Sequence, residues 1–224
     1  MGGIHDGHRD RLRERFREHG LDNFSDVNVL EMLLCCIIPR VDVEPLAYSL
    51  IEHFGSLHAV FEATMEELRQ VKGIGENAAT MLRLIPQVSR RYLISRQSTQ
   101  DVLSDSRRAG EFLVPRFLYA REEIVLLVCL NAARRVICCR ELSHGETNNA
   151  ALSIRRVVEI ALAQNSTSVI LAHNHTSGLA VPSQEDVEAT KEIAHALKLV
   201  NIELTDHLVI ADDDYVSMAD SGLL

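Results

Sequence analysis

The stretch HNHTSGLAVPSQED, residues 173–186, holds the side chains with the clearest capacity for chemistry. His173 and His175 follow the apolar run TSVILA; seven residues then separate His175 from Ser183, and two separate Ser183 from Asp186. Two imidazoles and a carboxylate so close in the chain are typical ligands of a divalent transition metal.

Elementary strand and helix geometry would bring these side chains together. His173 and His175 are two residues apart at the end of an apolar strand, so they point to the same face and can converge. Ser183 is a predicted helix N-cap, which places Asp186 in the first turn of that helix. Two His and one Asp leave a fourth tetrahedral position for water, as in catalytic zinc sites, where the metal lowers the pKa of that water.

Each fragment of the stretch also has a plainer interpretation. A His-x-His pair at a strand end can be a polar rim, and Ser183 with Asp186 can be only a helix cap beside a favourable helix dipole. The joint spacing is much harder to obtain by accident. The sequence therefore predicts a zinc site formed by His173, His175 and Asp186.

This spacing, His-x-His, seven residues, Ser, two residues, Asp, is the signature of the JAMM (MPN-plus) metallopeptidases. The wider pattern, SVILAHNHTSGLAVPSQEDVEAT with TDHLVI and a final GLL, resembles the RadC family. The N-terminal half resembles it too, through HDGHRDRLRERFREHGLDNF, LEMLLCCIIPRVDVEPLA and VKGIGENAA. The resemblance covers nearly the whole chain. One departure is Thr176, where the family usually has Pro; it bears on the rigidity of the loop and not on ligation.

The resemblance implies a role for each residue of the site. His173, His175 and Asp186 correspond to the zinc ligands, and Ser183 corresponds to the serine that helps hold the water and the developing oxyanion. The general base of the family is a Glu at the start of the first strand of the domain, which corresponds to Glu123 in EEIVLLVCLN.

Other residues compete for parts of these roles. Glu122 should point to the opposite face of the strand from Glu123. Glu141 also ends a strand and is the rival base, and a solvated strand end is the plain interpretation of all three glutamates. His207, in TDHLVI, could line the pocket or support a ligand. An ordinary strand-end hydrogen bond is the favoured interpretation of His207, since three ligands already complete the set.

The elements that must position this site change character along the chain. Residues 1–96 are predicted to be an all-helical domain with capped, amphipathic segments. A polar stretch follows, and we predict a linker at 97–104. In 105–224 buried strands alternate with helices, which predicts an α/β or α+β domain. The resemblance implies a JAMM/MPN-like, cytidine-deaminase-like mixed sheet flanked by helices.

The segment VKGIGENAATML fits the helix-hairpin-helix pattern. Gly73 and Gly75 allow a tight turn and expose amide groups at a helix start, which can hold a DNA phosphate without reading bases. Residues 1–96 nevertheless carry 12 basic and 14 acidic residues, and Glu76 lies where a phosphate would approach. A packing hairpin and a non-specific DNA contact through 1–96 both stay open, because electrostatics supplies most non-specific affinity.

Composition limits the class of protein. A net charge of −9 argues against extensive coating of nucleic acid or of an anionic membrane. The charged N-terminus lacks the apolar core of a signal peptide, and no run reaches the roughly 18 residues of a membrane span. The five cysteines lie in apolar runs without CxxC spacing, which indicates reduced thiols. We therefore expect a cytoplasmic protein with no membrane association.

The leading hypothesis is a zinc-dependent JAMM-type hydrolase, a metallopeptidase or isopeptidase that cleaves a protein or peptide substrate with a zinc-activated water. The alternative is a DNA-associated repair or recombination accessory protein in which the metal domain is a scaffold, since RadC-like proteins are commonly labelled as DNA repair proteins. A ββα-metal nuclease does not fit the spacing around the letters HNH. A complete set of ligands and base favours the enzyme, because a scaffold would not require it.

Overall fold

A computed structural model describes residues 4–39, 41–97, 101–144 and 154–224 of the chain. The chain divides into two compact units, residues 1–89 and 90–224. The predicted organisation into a helical half and a mixed α/β half is confirmed. Among the described residues, no helix has both the length and the apolar character needed to cross a bilayer.

The first unit is helical, as predicted. Its core is built from leucines that are fully buried, among them Leu30, Leu50 and Leu82. Local caps define the short helices; the Thr64 hydroxyl and the Glu67 carboxylate, for example, form a reciprocal capping box. The helices are α1 (Ile4–His19), α2 (Asp26–Ile37), α3 (Glu44–Phe54), α4 (Leu57–Glu62), α5 (Met65–Gln70) and α6 (Glu76–Ser95), the last of which extends past residue 89.

The predicted linker at 97–104 is only partly covered, because residues 98–100 lie outside the described residues. Leu103 is buried, and its N–H donates to the carbonyl of Arg134 at 2.9 Å. The carbonyl of Asp101 accepts the N–H of Val136 at 3.0 Å. Residues 101–103 therefore belong to the second unit and are hydrogen-bonded to its residues 134–136, and the linker boundaries at 97 and 104 stay a prediction.

The second unit is a five-stranded mixed sheet in the order β2-β1-β3-β4-β5. The β3–β4 pair is parallel and the other pairs are antiparallel. A parallel neighbour requires a crossover, which a helix supplies here between β3 and β4. The elements are α7 (Ser106–Phe117), β1 (Ile124–Leu130), β2 (Val136–His144), α8 (Ile154–Ala163), β3 (Ser168–Asn174), α9 (Gln184–Leu199), β4 (Glu203–Ala211) and β5 (Asp214–Ser217).

Helices cover both faces of the sheet, which explains why β1 and β3 are buried along their whole length. On one face, Leu126 and Val128 of β1 pack in a cluster with Phe112 of α7. On the other, Leu127 of β1 packs in a cluster with Ile193 of α9 and with residues of α8. The sheet therefore has an α7 face and an α9 face, and the predicted site lies on the α9 face.

Candidate metal centre

The two histidines of the His-x-His pair lie at the carboxyl end of β3. His173 is buried, and His175 follows the strand and donates its N–H to the carbonyl of Ile210 at 2.8 Å. Their Nε2 atoms are 3.0 Å apart. The Nδ1 atom of His175 is 3.2 Å from the carbonyl of Leu179; since that carbonyl can only accept, Nδ1 carries a proton and Nε2 keeps a lone pair for a ligand.

Asp186 reaches the same point from the first turn of α9. Ser183 caps this helix, as predicted, and forms a reciprocal capping box with Asp186. The Ser183 N–H and hydroxyl donate to Oδ2 of Asp186 at 2.8 and 2.6 Å. Oδ1 lies 3.4 Å from His173 Nε2, and Oδ2 lies 3.4 Å from His175 Nε2. Ser183 therefore holds the carboxylate by one oxygen and leaves Oδ1 turned towards His173.

The spacing of these donor atoms fits a tetrahedral metal. Ligands about 2.0–2.2 Å from a tetrahedral zinc lie about 3.3–3.6 Å from one another. The two histidine Nε2 atoms are 3.0 Å apart, and each lies 3.4 Å from an oxygen of Asp186, that of His173 from Oδ1 and that of His175 from Oδ2. Within the described residues, this is the one group of at least three His, Cys, Asp or Glu side chains close enough to share an ion. The site can hold a divalent metal with three protein ligands.

The charge state of Asp186 suits a ligand. Burial opposes its ionisation, but the neighbouring His173 and the two hydrogen bonds that Ser183 donates to the carboxylate outweigh that effect. The pKa of Asp186 is consequently well below its ordinary value. The group is an anion at neutral pH, able to offset the charge of a divalent cation.

His207 connects the site to the interior of α9. Its Nε2 is 2.8 Å from Nδ1 of His173, and its Nδ1 is 2.6 Å from the hydroxyl of Thr190. Burial lowers the pKa of His207 to about 3, so the ring is neutral at physiological pH. The interpretation of His207 as a strand-end histidine with an ordinary hydrogen bond is therefore wrong: the residue lies inside β4 and contacts His173, a candidate ligand.

A register irregularity places His207 there. β4 carries one extra residue, Thr205, opposite the step between Val169 and Ile170 of β3. Leu204, before the irregularity, packs on the α9 face. Strict alternation from Leu204 would turn His207 to the α7 face, and one extra residue reverses that assignment.

Glu123, the predicted general base, immediately precedes β1 and is half-buried. In the β1–β3 register, Val125 lies opposite His173, and alternation assigns Glu123 to the same face as Val125. That is also the face of Leu127, which packs towards α9. Glu123 therefore belongs to the face that carries the candidate ligands.

The buried Asn174 side chain fixes the backbone on both sides of Glu123. Its Oδ1 accepts the N–H of Ile124 at 2.8 Å, and its Nδ2 donates to the carbonyl of Glu122 at 3.1 Å. The side-chain amide thus imitates a peptide group and continues the ladder where the His175 backbone has turned to pair with Ile210. This clamp ties the entry of β1 to the residue between the two candidate ligands.

Strand alternation assigns the rival glutamates to the other face. Glu122 is one residue from Glu123, so its side chain alternates away. Glu141 of β2 lies opposite Leu126, which packs on the α7 face, and Glu141 is exposed. Neither of them shares the α9 face with the three donor atoms.

The two glycines predicted to contact DNA lie between α5 and α6. Gly73 has a φ of 101°, a conformation that favours glycine, and Gly75 precedes the first residue of α6. Glu76 opens α6 and pairs with Arg69 at 3.2 Å. The predicted tight turn is present, and the DNA contact through it stays a prediction.

Two residues of the site were not predicted from the sequence. Asn174 was not predicted, although it lies between the two candidate histidine ligands at a strand end. Thr190 was not predicted either, although it follows Asp186 by four residues and therefore shares its face of α9. The interval of four was the available signal for Thr190; for Asn174 there was none beyond proximity.

Comparison with known proteins agrees with this architecture. Residues 103–223 match the family described as RadC-like JAB domain, and residues 7–80 match the family described as UPF0758 N-terminal. A UPF0758 protein of Fusobacterium nucleatum subsp. nucleatum is 32% identical over 227 residues, covering 97% of both chains. UPF0758 proteins of Saccharophagus degradans and Idiomarina loihiensis are each 33% identical and cover 95% and 96% of both chains, respectively. The chain, with its JAB-like sheet and its His-His-Asp group, therefore belongs to the RadC family.

Proposed function

We propose that this protein is a zinc-dependent hydrolase that cleaves an amide or isopeptide bond in a protein or peptide substrate. The observation that carries the proposal is the triangle of donor groups from His173, His175 and Asp186, in which the imidazole Nε2 atoms and the nearest carboxylate oxygens are 3.0–3.4 Å apart. Three ligands leave a tetrahedral metal one open position, which is the arrangement of catalytic zinc sites and not of structural ones.

The donor set favours zinc among the biological metals. Two imidazole nitrogens and one carboxylate oxygen suit zinc, whereas magnesium and calcium prefer oxygen ligands. Zinc, when bound, lowers the pKa of a coordinating water towards neutrality and polarises the carbonyl of the scissile bond.

The remaining steps belong to residues of the chain. Glu123 takes a proton from the attacking water and delivers it to the leaving amine, as a general base and then a general acid. The clamp of Asn174 on Ile124 and Glu122 limits the backbone freedom of Glu123, which supports this assignment because positioning carries much of catalysis. We assign Ser183 to hold the carboxylate of Asp186 in the resting site and to help hold the oxyanion during reaction.

We further propose that the protein works in the cytoplasm. All five cysteines are free thiols, and Cys129 and Cys35 are buried. Burial raises the pKa of Cys129 to about 12, so this thiol is protonated and unreactive at neutral pH. Such thiols are typical of a reducing compartment.

A proteome-wide cleavage assay tests the hydrolase proposal and does not require that the substrate be identified first. Purified full-length protein loaded with Zn²⁺ is incubated with extract from cells that lack it, and new protein N-termini and newly freed lysine amines are quantified by mass spectrometry. We expect a set of termini or lysines that disappears when the protein is treated with a chelator and returns with added Zn²⁺. Identical profiles for loaded and chelated protein would contradict the proposal.

A DNA-associated role of residues 1–96 is the second candidate. The observation in its favour is the turn at Gly73 and Gly75, which leaves the N-terminus of the 20-residue helix α6 exposed, as a helix-hairpin-helix motif would. The acidic balance of this region and the Arg69–Glu76 pair oppose it.

For this second candidate, we expect weak, salt-dependent binding of duplex DNA by the full chain, which a negative charge at Gly75 would weaken. A Cβ at Gly75 meets no atom within 4 Å, so Gly75→Asp adds charge without a clash. Fluorescence anisotropy at low salt should show a loss on the order of tenfold for Gly75→Asp. The control Gln87→Glu, exposed on the same helix, should bind like the wild type. Equal affinity of both variants, or no binding by the wild type, would leave the turn as a packing hairpin.

A further inference from the structure

We propose that Thr190 and His207 set the tautomer of His173 and so keep its Nε2 atom available to a metal. These two residues do not belong to the donor triangle; they are positioning residues that act through His173. The inference deepens the proposed function and rests on the metal centre of that proposal, but it requires no hydrolysis.

A series of hydrogen bonds links the backbone of Asp186 to Thr190, His207 and His173. The Thr190 hydroxyl, which has a single proton, fixes the direction of these hydrogen bonds. Its oxygen lies 2.5 Å from the backbone carbonyl of Asp186 and 2.6 Å from Nδ1 of His207. A carbonyl oxygen can only accept, so the Thr190 proton lies in the bond to Asp186. The contact with His207 is then a hydrogen bond only if His207 Nδ1 carries a proton and donates it to Thr190.

The position of the proton on His207 determines the position of the proton on His173. A neutral His207 with its proton on Nδ1 has a bare Nε2, which can only accept. That atom is 2.8 Å from His173 Nδ1, which must therefore donate. The Nε2 atom of His173 is then left with a lone pair, and this is the atom that lies 3.0 Å from His175 Nε2 and 3.4 Å from Asp186 Oδ1.

Burial keeps water from replacing these hydrogen-bond partners. Thr190 is 1% exposed, His207 4% and His173 6%. Water therefore cannot readily supply an alternative donor or acceptor to either ring, and an unmatched polar group here would carry the full cost of desolvation. The opposite tautomer of His207 would donate to His173 Nδ1 and leave the proton on His173 Nε2, where it would exclude a metal ion.

The series of hydrogen bonds also connects two of the three proposed ligands. It begins at the backbone carbonyl of Asp186 and ends at His173, through the interior of the protein. A hydrogen bond to the distal nitrogen of a ligating histidine fixes its orientation and raises its basicity. The metal centre thus depends on a threonine that the metal does not touch.

The experiment compares Thr190→Val with Thr190→Ser. Valine keeps the shape of threonine but lacks the hydroxyl, so His207 is no longer held in the Nδ1–H tautomer; serine keeps the hydroxyl. Zn²⁺ affinity of the full chain is measured by competition with a chromophoric chelator. We expect Thr190→Val to bind Zn²⁺ about 10–100-fold more weakly and Thr190→Ser to stay within a few-fold of the wild type.

Thr205→Val is the matched control for general loss of stability. Thr205 lies on the strand that carries His207, but its hydroxyl donates to the carbonyl of Val169 at 3.1 Å and not to Asp186, Thr190, His207 or His173. It should unfold at a lower denaturant concentration and keep its Zn²⁺ affinity. Equal affinities of Thr190→Val and the wild type would overturn the proposal, as would a loss in Thr190→Ser equal to that in Thr190→Val.

A second measurement needs neither a folded variant nor a metal. Long-range ¹⁵N–¹H correlation spectra of the metal-free wild type report which ring nitrogen of His207 is protonated. The Nδ1–H form is expected, and the Nε2–H form would overturn the proposal. A wild type that shows the Nδ1–H form but binds no Zn²⁺ would instead contradict the metal centre, so the two failures are distinguishable.

Discussion

Glu123→Gln is expected to lower the rate of zinc-dependent cleavage by about 10²–10⁴-fold, the range that general acid–base catalysis supplies. Glutamine keeps the shape of the side chain and can still form hydrogen bonds, but it cannot take a proton from the attacking water. Glu123 is not one of the three donor residues, so the variant should keep its zinc and its stability. The rate is measured on the termini or lysines that the wild type releases, and zinc is measured on the same samples.

The sheet offers two matched controls for this substitution. Glu122→Gln and Glu141→Gln make the same chemical change on residues assigned to the α7 face. Both should cleave at the rate of the wild type. If Glu141→Gln abolished cleavage and Glu123→Gln did not, the assignment of the base would be wrong while the zinc chemistry would stand. If all three variants cleaved normally, none of these three glutamates would be the general base.

The ligand set could be predicted from the sequence because its geometry is local. A strand end brings His173 and His175 to one face, and the N-cap Ser183 places Asp186 in the first turn of the next helix. Two short-range rules, strand alternation and helix capping, therefore brought the three donors together independently of the sheet order.

The position of Glu123 relative to the three ligands depends on a long-range contact. It depends on the pairing of β1 with β3, in which Val125 lies opposite His173, about fifty residues along the chain. No local pattern encodes that register. The resemblance to the RadC family supplied the candidate, and the pairing adds the physical reason for preferring Glu123 to its neighbour Glu122.

His207 could not be placed from the sequence because of one extra residue. Alternation is the rule by which the residues of a strand are assigned to the two faces of a sheet from the sequence. The irregularity at Thr205 reverses that assignment in the middle of β4. A bulge of this kind has no signature in LTDHLVI. It places His207 on the face of α9, where Thr190 bonds to it.

His175→Ala is expected to abolish zinc binding and with it every zinc-dependent property of the chain. Truncation removes one of three ligands, so the loss of affinity should exceed the roughly 10–100-fold cost of changing a residue that only supports a ligand. His175 suits this test better than His173 because it is more exposed and does not carry the bond to His207. Elemental analysis of protein purified without chelator should find one zinc per wild-type chain and none in the variant.

Stability gives an independent readout of the same loss, since a metal that binds only the folded chain stabilises it by mass action. Free zinc at a hundred times its dissociation constant adds about 2.7 kcal/mol to the free energy of unfolding. Urea unfolding of the second unit should therefore shift to higher urea with zinc in the wild type and not in His175→Ala. His195→Ala, which removes an exposed histidine on α9, is the control and should show the full shift. A general affinity of zinc for surface imidazoles would instead reduce the shift in both variants. A zinc-dependent shift of equal size in His175→Ala would mean that the metal binds elsewhere, and the donor triangle would then be only a polar strand end beside a helix cap.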